Sequence, residues 1–248
     1  MFDQRKAYLL SQICAMAYSN EPEVSPEVYE ALGTRLDIYS MSVKDTQALG
    51  IANSTELIIA FRGTEPYCIN DWLTDINIKR KKGIHKGFLK AYQDIERDIR
   101  TIVKDNLSKD IYITGHSLGG ALTSICALEF GLSYPIVGIY TFGAPRCLNK
   151  KQVKIYNSFF KDISYRLVNN CDIVTRIPTR VSGYHHTAQL VYIDNNGKLH
   201  YGDSAYNLWQ TFWDRVEGRL ESLAHLRLAD GIDDHAIANY IKLLKLQE

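Results

Sequence analysis

The chain has 248 residues, 46% of them hydrophobic and 23% charged, enough apolar material for one sizeable core without help from disulfides. A formal net charge of +1 excludes a general electrostatic case for nucleic acid as partner. The five cysteines (14, 68, 126, 147, 171) lack C-x-x-C spacing, which excludes the common zinc patterns and suits a reducing compartment or isolated buried thiols.

The N-terminal run MFDQRKAYLLSQICAMA mimics a signal peptide in its basic start and in Ala15-Met16-Ala17. Ser11 and Gln12 interrupt the apolar stretch, however, and Leu9, Ile13 and Met16 fall at helical spacing, so an amphipathic helix is expected. The runs 35–43 and 46–64 then read as strands, with a hairpin turn at Asn53-Ser54. Lys79-Arg80-Lys81-Lys82 is a dense positive run that reads as a solvated turn, with attraction to anionic phospholipid as the alternative. Phe88, Ala91, Ile95, Ile99 and Val103 mark a helix over 88–106, followed by a short buried strand, DIYITG.

A helix over 118–132, an apolar strand IVGIYTFGAP, a helix near 150–160 and a strand SYRLVN continue the alternation. The late segments 183–194 and GKLHYG read as a hairpin turning at Asn195-Asn196-Gly197. From Ala205 onward the pattern is mostly helical. Leu208, Phe212, Val216 and Leu220, with Trp209 and Trp213 beside them, fit a core helix better than the wall of an acyl pocket. Strands alternating with helices imply an α/β fold with a mostly parallel central sheet and helices on both faces. Without repeats, low-complexity tracts or linkers, residues 1–248 are expected to form a single domain. No stretch reaches the length of a membrane span.

Chemistry is concentrated in TGHSLGGAL, residues 114–122, between an apolar strand and an apolar helix. A phosphate-binding loop would need Lys and then Ser or Thr after its second glycine, whereas Ala121 and Leu122 follow Gly120. Gly115, Ser117 and Gly119 instead match G-x-S-x-G, the sharp strand-to-helix turn that exposes a serine nucleophile. The flanking glycines relieve collisions where that turn is tightest, and the N–H of Leu118 at the helix N-terminus can bind a developing oxyanion. The competing reading of Ser117 is a helix cap with glycines kept for packing.

Several further stretches resemble successive motifs of the class 3 lipases, the fungal-type lipases of the α/β-hydrolase fold. IIAFRGT resembles that family's oxyanion strand, DWLTDI the segment after its lid, IHKGFLKAY the entry to the next helix and ITGHSLGGALT its elbow. YTFGAPR, YRLVNNCDIVTRIP and GYHH follow in the family's order; the resemblance spans about residues 8–195 and, more loosely, DDHAIANYI.

The resemblance implies a triad of Ser117 as nucleophile, Asp172 as acid and His235 as base, in the chain order of this fold. It also implies Thr64 as the second oxyanion donor beside Leu118. Asp172 has a bland alternative as a turn organiser, and His235 as a solvated histidine behind an Asp-Asp helix cap. His185 and His186 are the rival bases but precede a strand; His116 adjoins the nucleophile and His85 precedes a packing helix. Only EPYCIN, residues 65–70, stands where the family carries its lid, which implies weak activation by an interface.

The implied activity is hydrolysis of carboxylic esters, of lipids or acyl-glycerols, through an acyl-enzyme. Small-ester or phenolic-ester esterase and phospholipase activities are alternatives on the same scaffold, and a catalytically silent binding module is a third. No cofactor and no metal are expected; DGIDD lacks the spacing of a calcium loop. The expected partners are the lipid or small-molecule ester and, transiently, a lipid interface. A location in the cytoplasm, or export without a recognisable signal peptide, fits these readings.

Overall fold

The computed structural model describes residues 1–63, 79–131, 133–202 and 232–246. Thr64, EPYCIN, DWLTDI and the helix expected around Trp209 and Trp213 lie outside the described residues.

Helix α1 (Gln4–Met16) opens on Asp3, whose carboxylate accepts from the Lys6 N–H at 3.0 Å. It buries Ala7, Leu10, Ile13 and Cys14, so the run that mimicked a signal peptide is a core helix here. A short helix α2 (Pro26–Leu32) follows, capped by Ser25 with Pro26 in its first turn. Strands β1 (Asp37–Val43), β2 (Thr46–Ala52) and β3 (Glu56–Phe61) form an antiparallel meander. Asn53 makes the second of its turns, its Oδ1 accepting from the N–H groups of Thr55 and Glu56 at 2.9 and 2.7 Å.

A two-stranded hairpin, β4 (Arg80–Lys81) and β5 (Ile84–His85), stands apart from the main sheet. Lys82 and Gly83, both at positive φ (54° and 83°), form its tight turn. Helix α3 (Lys86–Asp105) starts at His85, whose Nδ1 accepts from the Phe88 N–H at 3.3 Å, and buries Phe88, Tyr92, Ile95 and Ile99. Then come β6 (Asp110–His116), α4 (Leu118–Phe130), β7 (Ile136–Phe142), α5 (Lys150–Phe160) and β8 (Ser164–Asn169). Strands β9 (Gln189–Ile193) and β10 (Leu199–Tyr201) close the sheet, and α6 (Ile237–Leu244) is the last described helix.

The sheet order is β1-β2-β3-β6-β7-β8-β9-β10, parallel from β3 to β9 and antiparallel at both ends. Alternate residues of its strands face two cores. Leu57, Ile59, Phe61, Ile111, Ile113 and Ile139 pack with α3, α4 and α5 on one face. Ile58, Ala60, Phe142, Leu167 and Val191 pack with α1, α2 and α6 on the other. The mostly parallel sheet covered on both faces is therefore as expected.

Two local readings differ. The last parallel strand starts at Gln189 rather than near Gly183, because the residues before it bridge back to Leu148 and Ala188 takes a positive φ of 66° that breaks the extended run. Helix α2 was not anticipated; its signal is the Ser25-Pro26 start, set in only seven residues of helix.

Ile99 sits fully buried on the core face of α3, whereas Gln93 of the same helix is exposed. Ile99→Ala is expected to lower unfolding free energy by about 2–5 kcal/mol. Gln93→Ala should change it by less than about 0.5 kcal/mol. Chemical denaturation of the two variants checks both, and a near-neutral Ile99→Ala would contradict this packing.

Candidate active site

Strand β6 ends at His116, and the chain reverses at once into α4 through Ser117, held at φ 58° and ψ −130°. A non-glycine residue there stores roughly 1–3 kcal/mol of strain, retained only where the surroundings over-determine it. The surroundings are close backbone contacts. A Cβ on Gly119 would lie 2.1 Å from the Phe61 carbonyl oxygen, and one on Gly115 would lie 2.3 Å from that of Gly119. The Ser117 N–H donates to Phe142 O at 2.9 Å, tying the turn to the end of β7. Ser117 Oγ is buried and has no hydrogen-bond partner among the described residues. Leu118, the first helical residue of α4, has an N–H with no acceptor inside the helix.

Asp172 follows β8 by three residues, and His235 precedes α6 by two. The structure brings these two together: both are fully buried, and His235 Nδ1 lies 3.0 and 2.9 Å from the two Asp172 oxygens. A carboxylate only accepts, so Nδ1 carries the proton and Nε2 keeps its lone pair. His235 Nε2 has no hydrogen-bond partner among the described residues, as Ser117 Oγ has none. Gly143 lies against this pair, since a Cβ there would meet Asp172 Oδ2 at 2.6 Å and His235 Nδ1 at 2.8 Å.

Asp172 is more than a turn former. Its Oδ1 accepts from the Val174 N–H at 3.0 Å, and its Oδ2 accepts from the Tyr240 hydroxyl at 2.7 Å. Tyr240 in turn accepts from the Asn169 N–H at 3.0 Å; burial and the Asp172 charge push its pKa well above the ordinary tyrosine value. The Asp-Asp pair before α6 does not cap that helix. Asp234 Oδ2 accepts from Asn170 Nδ2 and the Cys171 N–H at 3.1 and 3.0 Å, pinning the His235 segment to the loop that carries Asp172.

His116 holds His235 from behind. Its Nε2 lies 2.6 Å from the His235 carbonyl oxygen, and its Nδ1 lies 2.7 Å from the Tyr18 hydroxyl. The carbonyl can only accept, so Nε2 donates and Tyr18 donates to Nδ1. Burial, with the His235 ring 4.6 Å away between centroids, draws the pKa of His116 down to about 3. Sequence reading missed Tyr240, Tyr18 and this use of His116; their one signal, a polar group on an apolar helix or strand face, is too common to single them out.

His185 donates its backbone N–H to Leu148 O at 2.8 Å, and burial with the charges of Arg166 and Arg146 lowers the pKa of His186 well below the ordinary value. Among the described residues, the hydrogen bonds of the Asp172 carboxylate run to His235, Tyr240 and Val174 and not to either of these histidines. Thr64 lies outside the described residues; its neighbour Gly63 lies against the elbow, where a Cβ would come 2.9 Å from Ser117 Cβ. Among the described residues, no group of three or more His, Cys, Asp or Glu is placed to hold a metal ion.

The family model for class 3 lipases matches residues 58–182, half of the chain and all of the elbow and Asp172. The chain belongs to the class 3 lipase family. It is 29% identical over 157 residues to a secreted mono- and diacylglycerol lipase of Fusarium solani, covering 56% of this chain and 44% of that protein. To a lipase of Rhizomucor miehei it is 31% identical over 178 residues, covering 64% and 48% respectively. The chain thus spans about half the length of the curated relatives it matches. In structure it resembles the triacylglyceride lipase of Rhizomucor miehei, with a TM-score of 0.66, 25% identity and coverage of 84% of this chain and 91% of that one. The fold of this chain is accordingly the α/β-hydrolase fold.

Tyr240→Phe removes the donor to Asp172 and leaves the buried Asn169 N–H unmatched. A stability loss of about 1–3 kcal/mol is expected by denaturant titration, and a loss below ~0.5 kcal/mol would contradict the assigned bonds. His116 supplies a second expectation. Folded, it stays neutral down to about pH 3, whereas an unfolded histidine takes up a proton near pH 6.5. Between those values the unfolded chain binds the extra proton, so stability falls on acidification, by up to about 1.4 kcal/mol per pH unit from this group. His116→Gln should flatten the stability–pH curve by about that slope between pH 6 and 4, against wild type measured in parallel.

Proposed function

We propose that this class 3 lipase hydrolyses carboxylic esters, acyl-glycerols foremost, through an acyl-enzyme on Ser117. The observation that carries the reading is a strained, unpartnered serine hydroxyl at a helix N-terminus, accompanied by a buried imidazole whose Nδ1 is committed to a carboxylate. That commitment leaves Nε2 as the atom that can take a proton.

In this reading Ser117 Oγ gives its proton to His235 Nε2 and attacks the ester carbonyl carbon. Asp172 fixes the imidazole tautomer and stabilises the imidazolium. The developing oxyanion receives hydrogen bonds from the Leu118 N–H and from Thr64. Collapse of the tetrahedral adduct breaks the bond to the alcohol oxygen, which leaves with the proton from His235. Water then gives a proton to His235 and attacks the acyl-serine, releasing the acid and restoring the hydroxyl. Two residues support the pairing from outside: Tyr240 holds Asp172, and His116 holds the His235 backbone.

Substrate class rests on family membership and on the mono- and diacylglycerol lipase of Fusarium solani among the relatives. A lipid ester is therefore favoured over the phenolic, small-ester and phospholipid alternatives, which a hydrolysis profile across chain length and headgroup separates. That relative is a secreted enzyme, which supports export over a cytoplasmic location. One sheet with apolar clusters on its two faces supports a single domain over residues 1–248.

Labelling by a fluorophosphonate should be confined to Ser117. Ser117→Ala is expected to lower kcat by about 10⁴- to 10⁶-fold with the fold intact. His235→Ala should be as damaging, and the double variant no worse, because triad members act as a unit. His185→Ala should cost less than about tenfold. Ser117→Ala retaining a tenth of the wild-type rate in a folded sample would sink the nucleophile assignment. Because EPYCIN is short, the rate on an acyl-glycerol of limited solubility should rise by less than about tenfold as its concentration crosses saturation.

A further inference from the structure

The charge of +1 on the whole chain conceals a strong segregation. Residues 79–93, 143–161 and 173–193 contain no Asp or Glu at all. The first segment carries Lys81, Lys82, Lys86 and Lys90, all exposed. The second carries exposed Lys150, Lys151 and Lys154, and the third exposed Arg180.

The fold knits these segments into one surface. His85 N donates to Cys147 O, Asn149 N to Gly83 O and His185 N to Leu148 O, each at 2.8 Å. Gln152 Nε2 donates to Lys82 O at 2.9 Å, which brings the start of α5 against the turn of the β4–β5 hairpin. Arg80 donates from Nη1 to Gly183 O at 3.1 Å and stacks over the Tyr184 ring, 5.2 Å from its centroid. The field is felt locally: burial and the charges of Arg180, Lys150 and Arg146 lower the pKa of His185. Two of the segments emerge from the carboxyl ends of β7 and β8, the edge of the sheet that also carries Ser117 and Asp172.

At the border of this surface stands an apolar residue that core packing does not explain. Val181 is 99% exposed beside Arg180, at the apex of the turn from Thr179 to Gly183. Gly183 N donates to Arg180 O at 2.8 Å, and Thr179 Oγ1 and Ser182 Oγ pair at 3.0 Å, so the turn is internally braced. A fully exposed, braced valine adjoining a cationic hairpin fits a surface that is negatively charged outside and apolar beneath.

We propose that the β4–β5 hairpin, the start of α5 and the Thr179–Gly183 turn form a docking face for an anionic lipid surface. The choice of a lipid surface rests on the ester-hydrolase reading. Docking is electrostatic first, with Val181 entering the headgroup region, and it turns the carboxyl edge of the sheet toward the lipid. Each cation brought to such a surface strengthens partition by roughly fivefold at low salt, and the gain fades as the Debye length shortens.

The test is co-flotation of the Ser117→Ala protein, which spares the vesicles, with phosphatidylcholine vesicles that contain or lack about one-third phosphatidylglycerol. Partition onto the anionic vesicles should exceed that onto the neutral ones by at least about tenfold and fall steeply with added salt. Adding Lys81→Glu and Lys82→Glu should lower it by a further tenfold or more, and Val181→Asp by about threefold or more. In the Ser117-containing protein, those same changes should lower hydrolysis of a soluble, monomeric ester by less than about twofold, because solvent screens the exposed charges from the site. Equal partition onto both vesicle types, no effect of the lysine reversals, or binding to duplex DNA as strong as to the anionic vesicles would each overturn the proposal. Loss of all soluble-ester hydrolysis in the unsubstituted protein would instead overturn the catalytic reading, and the vesicle comparison would stand by itself.

Discussion

The close approach of the α4 N-terminus to the end of β3 is the constraint on which the rest of the site depends. With Gly119 pressed so near Phe61 O that a Cβ would sit at 2.1 Å, the chain has no room for an ordinary strand-to-helix connection. Ser117 must take a positive φ, and its side chain is thereby placed at the head of the helix rather than along its flank. The same approach brings Gly63 against Ser117, where a Cβ on Gly63 would come 2.9 Å from Ser117 Cβ. Strain in one residue is thus sustained by glycine contacts in three elements, which is the usual condition for strain to persist.

A second dependency is polar and buried. Asp172 receives donors from His235, Tyr240 and the Val174 backbone, and Asp234 receives two from Asn170 and Cys171. All but the Val174 bond join residues separated by more than sixty positions, so the segment around His235 is held to the sheet edge by a network whose members are mostly inaccessible to water. In such a setting one lost partner leaves a carboxylate or N–H unmatched, and the penalty exceeds the value of the bond itself. Placing His116 and Tyr18 behind His235 extends the network to α1's end of the chain, so the N-terminal helix and the base rest on one another.

Much of this was legible in the sequence, and the reasons divide cleanly. G-x-S-x-G is legible because the steric need at 115 and 119 admits only glycine, so geometry is written into residue type. The strands β3, β6 and β7 are legible because burial on both faces leaves them predominantly apolar. Asp172 and His235 became candidates through family resemblance, not through local pattern, because a pairing across that much chain leaves no periodic trace. Tyr240 was illegible for the same reason: on an apolar helix, a tyrosine with a hydroxyl partner reads like one packed for its ring. Helix α2 is too short for periodicity to register, and the start of β9 was misjudged because its five preceding residues are apolar or aromatic enough to pass for strand.

Net charge proved the least informative quantity. A sum near zero suggests an unremarkable surface, yet it hides three segments, residues 79–93, 143–161 and 173–193, that carry cations and no carboxylate. Like charges crowded on one face raise the energy of the free protein, and natural surfaces usually interleave the two signs to avoid that. The connections that leave β7 and β8 instead carry no carboxylate over residues 143–161 and 173–188, beside an edge where the chemistry of Asp172 requires one to be buried. The separation has an internal benefit. Exposed carboxylates near that edge would raise the negative potential at the site and oppose the oxyanion that forms beside Leu118, whereas exposed cations act in the favourable sense even through screening solvent. Docking and catalysis therefore ask for the same charge on the same side of the sheet, and a sequence that satisfies one has already moved toward the other.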